Sequence, residues 1–208
     1  MEQREIRRFR KRAILIHWLH FVPFAVLLVT GAMMFFDATS MGGGRQIRTI
    51  HQVAAAFYVL VPVFYAIVDP SSVVRFLKST FRWDQSDLAW LKSSVGFYFG
   101  SKEQAPPQDY LNGDQRLWQL IVVVSGLVFT LTGILQWFFK MKIPVALYQW
   151  FLLAHATAFV VATLTFFVHL YLTTMHPTFD ESLSAMLDGK VSESYARRHY
   201  SKWRADGQ

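Results

Sequence analysis

The chain has 208 residues, of which 53% are hydrophobic and 16% aromatic, and it carries a formal charge of +7. That is more apolar than an ordinary soluble domain of this length, so a membrane protein is the leading class. Cysteine is absent, which excludes disulfides, cysteine-ligated iron–sulfur clusters, thiolate zinc sites and covalently attached c-type haem. Any cofactor must be held by histidine, methionine or oxygen, and the basic balance reads as membrane topology rather than as a nucleic-acid surface.

Six basic residues, Arg4, Arg7, Arg8, Arg10, Lys11 and Arg12, open the chain. Four stretches are then long enough to cross a bilayer core of about 30 Å: 13–36, 51–68, 117–139 and 145–175. None holds Asp or Glu, and Pro23, Pro62, Gly126 and Gly133 are tolerated in transmembrane helices. Gly126 and Gly133 share one face of the third span, which suits either close helix packing or a smooth surface for a flat macrocycle.

The middle loop, 69–116, is too long to be structureless. "SSVVRFLKSTFRW" and "SDLAWLKSSVGFYFG" mix apolar, aromatic and basic residues at helical spacing, predicting short amphipathic helices in the headgroup region. "KEQAPPQDYLNGDQR" reads as a turn-rich approach to the third span.

Lysine and arginine set the orientation. The middle loop carries Arg75, Lys78, Arg82, Lys92, Lys102 and Arg116, and the tail, 176–208, adds Lys190, Arg197, Arg198, Lys202 and Arg204. The linker "DATSMGGGRQIRTI" holds only Arg45 and Arg48, and "KMKIP" only Lys140 and Lys142. Both termini, the middle loop and the tail are therefore expected on the cytoplasmic side of a bacterial inner (plasma) membrane. The opening run does not read as a secretory signal peptide, since its apolar stretch is too long and no small-residue cleavage site follows. The fold class expected is an all-α membrane protein, a single domain over 1–208 built as a four-transmembrane-helix bundle.

Histidines inside such spans point to function, because a buried imidazole costs free energy unless its nitrogens find partners. His155 and His169 lie fourteen residues apart in the fourth span, a rise of about 21 Å on nearly the same helix face. His17 matches the depth of His169, and His51 that of His155, so two histidine pairs form with the fourth span in both. Bis-histidine sites in an apolar four-helix bundle are what b-type haems require, which makes the core dihaem. Zinc prefers four ligands, and a proton or cation carrier would add carboxylates within the spans. His20, three residues from His17, is an alternative ligand or a residue beside the haem. His176 and His199, at the interface and in the tail, are expected to be solvated.

"AILIHWLHF", "RTIHQVAAAF", "FLLAHATAF", "FFVHLYL" and the tail "MLDGKVSESYARRHYSKW" resemble the gamma, or cytochrome b, subunit of membrane-bound formate dehydrogenases over nearly the whole chain. The resemblance implies that His17, rather than His20, pairs with His169 on the iron of an inner haem b, and His51 with His155 on that of an outer one. It also implies partners outside the membrane: an iron–sulfur subunit joined to a molybdenum or tungsten catalytic subunit. Electrons would enter at the outer haem and leave from the inner haem to menaquinone or ubiquinone. No formate-oxidising site lies in this chain.

Ahead of the third span the family pattern reads Asn-Ala-Gly-Gln-Lys and lines a quinone pocket. Here Asn112, Gly113, Asp114, Gln115 and Arg116 stand there. Asn112 and Gln115 match, while Asp114 replaces a glycine. The simpler alternative is a polar helix cap. Asp114 and His20 are candidate proton carriers. Rival functions are the same dihaem module serving a hydrogenase or another respiratory oxidoreductase, and a haem-free membrane anchor.

Overall fold

The computed structural model describes residues 4–37, 43–100 and 106–203. Lys102, Arg204 and residues 38–42 of the first linker, which entered the orientation argument, lie outside the described residues. In chain order come β1 (Glu5–Arg7), α1 (Lys11–Phe35), α2 (Gly44–Val68), α3 (Pro70–Phe81), α4 (Gln85–Tyr98), α5 (Gly113–Phe138) and α6 (Val145–Thr174). A 3-10 turn (Pro177–Phe179), α7 (Ser182–Asp188), β2 (Lys190–Ser192) and α8 (Glu193–His199) follow.

Helices α1, α2, α5 and α6 are long and apolar enough to cross a membrane, and they coincide with the four expected spans. Two begin earlier than hydropathy alone indicates, α2 at Gly44 and α5 at Gly113, because polar residues extend them outward. For α5 the extension is a capping box: Asn112 Oδ1 accepts from the Gln115 amide at 2.8 Å, and Gln115 Oε1 accepts from the Asn112 amide at 3.2 Å. The amphipathic loop segments are α3 and α4. Pro70 starts α3, where its missing N–H costs nothing, and a capping box of Asp84 and Asp87 starts α4.

Two compact units separate within the chain. One consists of Leu15–Pro70 and Ile121–Phe166. Inside it, Phe24 meets Phe166 and Phe35 meets Phe159 at ring separations of 5.1 and 5.5 Å, joining α1 to α6. Pro62 interrupts α2 and removes the donor that the Tyr58 carbonyl would take from position i+4. His20 of α1 supplies the donor instead, through Nε2 at 3.2 Å, with its ring stacked on Tyr58. Val22, Ile67, Leu131 and Leu164 remain exposed, an outer face suited to lipid rather than water.

The other unit consists of Met1–Ile14, Ser71–Leu120 and Phe167–Gln208. Here β1 and β2 pair antiparallel, with Ile6 opposite Val191, a two-stranded ribbon added to an otherwise helical fold. Phe179, Ala185, Val191, Tyr195, Ala196 and Tyr200 form its core. Gly189 ends α7 at φ +85°, and a Cβ there would stand 2.5 Å from the Phe9 carbonyl, so only glycine fits. Arg8 is 3% exposed. Its guanidinium lies 3.6 Å from the Tyr200 ring centre, and Nη2 donates to the Tyr110 carbonyl at 2.8 Å.

His176 and His199 are not solvated as expected: they are 7% and 5% exposed. Each is buried as an imidazole with hydrogen-bond partners. His176 donates from Nε2 to the Tyr98 carbonyl and accepts the Thr178 amide at Nδ1, both at 3.2 Å. His199 donates from Nδ1 to the Tyr195 carbonyl at 2.9 Å and stacks on that tyrosine. The tail's basic residues were legible, but not its aromatic core.

Candidate functional site

His51 and His155 face each other. Their ring centroids are 6.5 Å apart, with planes at 55°. Both come from helices lined by apolar neighbours: Phe129 approaches the His155 ring at 5.1 Å, and Gly31 and Gly133 leave room beside the two imidazoles. A Cβ at Gly31 would lie 3.7 Å from His51 Cε1, and one at Gly133 4.0 Å from His155 Cε1.

Each ring is oriented by a threonine on another helix. Thr30 Oγ1 of α1 lies 2.8 Å from His51 Nδ1, and Thr132 Oγ1 of α5 lies 2.7 Å from His155 Nδ1. The same hydroxyls donate within their own helices, to Val26 O at 2.7 Å and Val128 O at 2.6 Å. A hydroxyl has one hydrogen. With that hydrogen on the carbonyl, the threonine oxygen accepts from Nδ1–H, and Nε2 of each histidine keeps its lone pair.

His17 and His169 fall in different compact units. His17 packs edge-on against Trp18 at 5.2 Å, and its buried Nδ1 has no hydrogen-bond partner among the described residues. His169 lies flat on Trp118 of α5, at 4.6 Å and 7°. His20 is distinguished from these by its bond to the Tyr58 carbonyl, which occupies Nε2.

At the start of α5, Asn112 is 1% exposed and shares the capping box with Gln115, whose Nε2 donates to the Tyr200 hydroxyl at 2.7 Å. Asp114 accepts from Trp90 Nε1 at 2.7 Å and from the Tyr98 hydroxyl on the same carboxylate oxygen. Burial and the Asp114 charge push the Tyr98 phenol up, so it remains a proton donor. Gly113 allows α4 this close, since a Cβ would meet the Asp87 carbonyl at 2.5 Å. Arg116 pairs with buried Asp87 at 3.1 Å. The sequence signalled Asn112, Asp114 and Gln115; Trp90 and Tyr98, which hold Asp114, lie in a segment whose pattern showed only an amphipathic helix.

The sequence model of prokaryotic cytochrome b561 matches residues 8–189. The chain belongs to this family. The cytochrome is also 23% identical, over 194 residues, to the "Formate dehydrogenase, nitrate-inducible, cytochrome b556(Fdn) subunit" of Escherichia coli K12 and of Shigella flexneri, covering 90% of this chain and 84% of each relative. With the "Formate dehydrogenase, cytochrome b556 subunit" of Haemophilus influenzae it shares 22% identity over 211 residues, covering 95% of this chain and 82% of that one. It is a multi-pass, all-α membrane protein similar to formate dehydrogenase cytochrome b subunits.

Membership implies a b-type haem, and His51 and His155 fit one. Two metal–nitrogen bonds of about 2 Å on opposite sides of one atom, each continued by roughly 1.2 Å to the ring centre, set imidazole centroids about 6.4 Å apart. The observed 6.5 Å matches. Among the described residues no group of three or more His, Asp or Glu gathers as a metal site. The signal for Thr30 and Thr132 was present but unread: a Thr-Gly pair occurs in the first span and again in the third.

Proposed function

We propose that this cytochrome b is the dihaem, quinone-reducing membrane subunit of a formate dehydrogenase complex. The observation that carries the reading is the facing pair His51 and His155, spaced for one iron, each with Nδ1 engaged by a threonine. His17 and His169 are assigned as the second haem-holding pair on the strength of the motif resemblance. Bound at these histidines, haem b supplies one-electron carriers within the apolar layer.

The chain's own residues do the rest. The four helices exclude water around the imidazoles and hold their rings. His20 serves the Pro62-freed carbonyl beside that site. We assign quinone to the region of Asn112, Asp114 and Gln115, where the Asp114 carboxylate, held by Tyr98 and Trp90, is placed to relay a proton. The arginine and lysine distribution supports cytoplasmic termini, with an iron–sulfur subunit and a molybdenum or tungsten catalytic subunit as partners on the opposite side. The names of the similar subunits support formate as the complex's substrate.

A reduced-minus-oxidised spectrum with pyridine haemochrome quantitation, on the assembled complex, tests the assignment. Two b haems per chain are expected, with one lost from alanine variants at His17, His51, His155 or His169 and none from His20→Ala. No haem in a properly assembled preparation would overturn it. Reduction of the haem bands by formate in membranes is expected; reduction by hydrogen alone would assign the subunit to a hydrogenase instead.

A further inference from the structure

We propose that two matched Thr-Gly pairs, Thr30-Gly31 and Thr132-Gly133, fix which nitrogen of His51 and His155 faces the iron and lower the reduction potential of the haem held there. The inference rests on the haem-ligand reading of these two histidines and extends it to residues that touch no iron.

Two oxygens 2.6–2.7 Å apart need a hydrogen between them. The carbonyls of Val26 and Val128 have none, so the hydroxyl hydrogens of Thr30 and Thr132 lie on those contacts. Each threonine oxygen is then left to accept, and among the described residues the donor facing it is the Nδ1–H of His51 or His155. The helix ladder thereby dictates the tautomer: the hydrogen is held on Nδ1, away from the iron.

The adjoining glycine completes the device. Cε1 lies between the two ring nitrogens, and Gly31 and Gly133 are the positions whose Cβ would stand 3.7 and 4.0 Å from that atom. A Cβ at Gly31 would press first on Phe159, at 3.2 Å, and both Cβ atoms would come into ordinary contact with the imidazole edge. The same two-residue unit thus occurs twice, α1 acting on the ring from α2 and α5 on the ring from α6.

Donation from Nδ1–H to the threonine oxygen shifts electron density onto the imidazole, and an electron-rich ligand favours the ferric state over the ferrous. Removing the acceptor should therefore raise the potential. Nδ1 of His17, which has no such partner among the described residues, belongs to the other proposed pair, so the second haem serves as an internal control. Thr30 and Thr132 are positioning residues, and their effect is read in a potential rather than in turnover.

The test is a redox titration of the haem absorbance in the purified complex carrying Thr30→Val, Thr132→Val, both together, and the corresponding serine substitutions. Valine keeps the shape of threonine without the acceptor; serine keeps the acceptor. Each valine variant is expected to retain two haems and to raise the ferrous-to-ferric ratio of one couple, at fixed potential, by about threefold. The serine variants should return that couple toward its original value, and the other couple should stay in place. Loss of one haem in the valine variants with retention in serine would support the ring-fixing part of the proposal, and the potential of that haem is then read in the serine variants. It is overturned if both haems remain and neither couple moves, or if serine behaves as valine does. Retention of both haems in His51→Ala and His155→Ala would instead refute the ligand reading, taking this inference with it, and is distinguishable because it is read in haem content.

Discussion

His20 donates from Nε2 to the backbone carbonyl of Tyr58 at 3.2 Å, the carbonyl that Pro62 leaves without its helical donor. The histidine is thereby engaged in holding α1 against α2. His20→Ala is expected to keep full haem content while destabilising the protein by about 1–3 kcal/mol, the range for leaving a buried acceptor unsatisfied. Pro62→Ala restores the missing N–H, so the cost of His20→Ala should shrink sharply in the double variant. Thermal unfolding of the four proteins of that cycle, with haem content measured alongside, checks both statements.

Asp114→Asn keeps the size of the side chain and removes its charge. It is expected to slow quinone reduction severalfold while both haems stay bound, because Trp90 and Tyr98 lose the carboxylate they converge on. Quinone-reductase assays beside a haem spectrum decide it, and unchanged turnover removes Asp114 from proton delivery.

Gly189→Ala asks for a left-handed backbone at φ +85° and sets a methyl 2.5 Å from the Phe9 carbonyl. The left-handed conformation alone costs about 1–2 kcal/mol. Faster hydrogen exchange across Lys190–Ser192 is expected, with α1, α2, α5 and α6 unaffected. Unchanged exchange in β2 would count against the tight approach seen here.

His199 gives the tail a pH dependence. Burial lowers its pKa from the usual 6.5, assisted by Arg198 and opposed by its bond to Tyr195 and by Asp180. The unfolded chain therefore binds the proton first, and the stability of the tail falls as pH drops below 6.5. His199→Gln should flatten that dependence. Proteolysis of the tail at pH 7.5 and 5.5, in both proteins, measures it.

The spans were legible because hydropathy and the lack of carboxylates are one-dimensional signals, and so was the meeting of His51 with His155, since helical rise converts spacing into depth. The threonines that orient His51 and His155 were not, because Thr in an apolar helix ordinarily bonds its own backbone, and only the neighbouring helix reveals the second contact. Asp114 read as a departure from a family pattern; its reason lies in Trp90 and Tyr98, sixteen or more residues away in α4. The tail's basic residues were legible, but the sheet joins positions 5–7 to 190–192, a pairing no local pattern indicates. Burial of His176 and His199 went unforeseen for the same reason: their partners are aromatic residues and carbonyls that only folding assembles.

The ribbon has a temporal consequence. Ser192 is synthesised long after its partner Glu5, with all four apolar helices between them, so β1 stays unpaired while those helices are inserted. Closure of this last clasp reports that the chain has been made through the tail. A chain lacking Lys190–Ser192 would keep its four spans yet leave β1 without its partner strand.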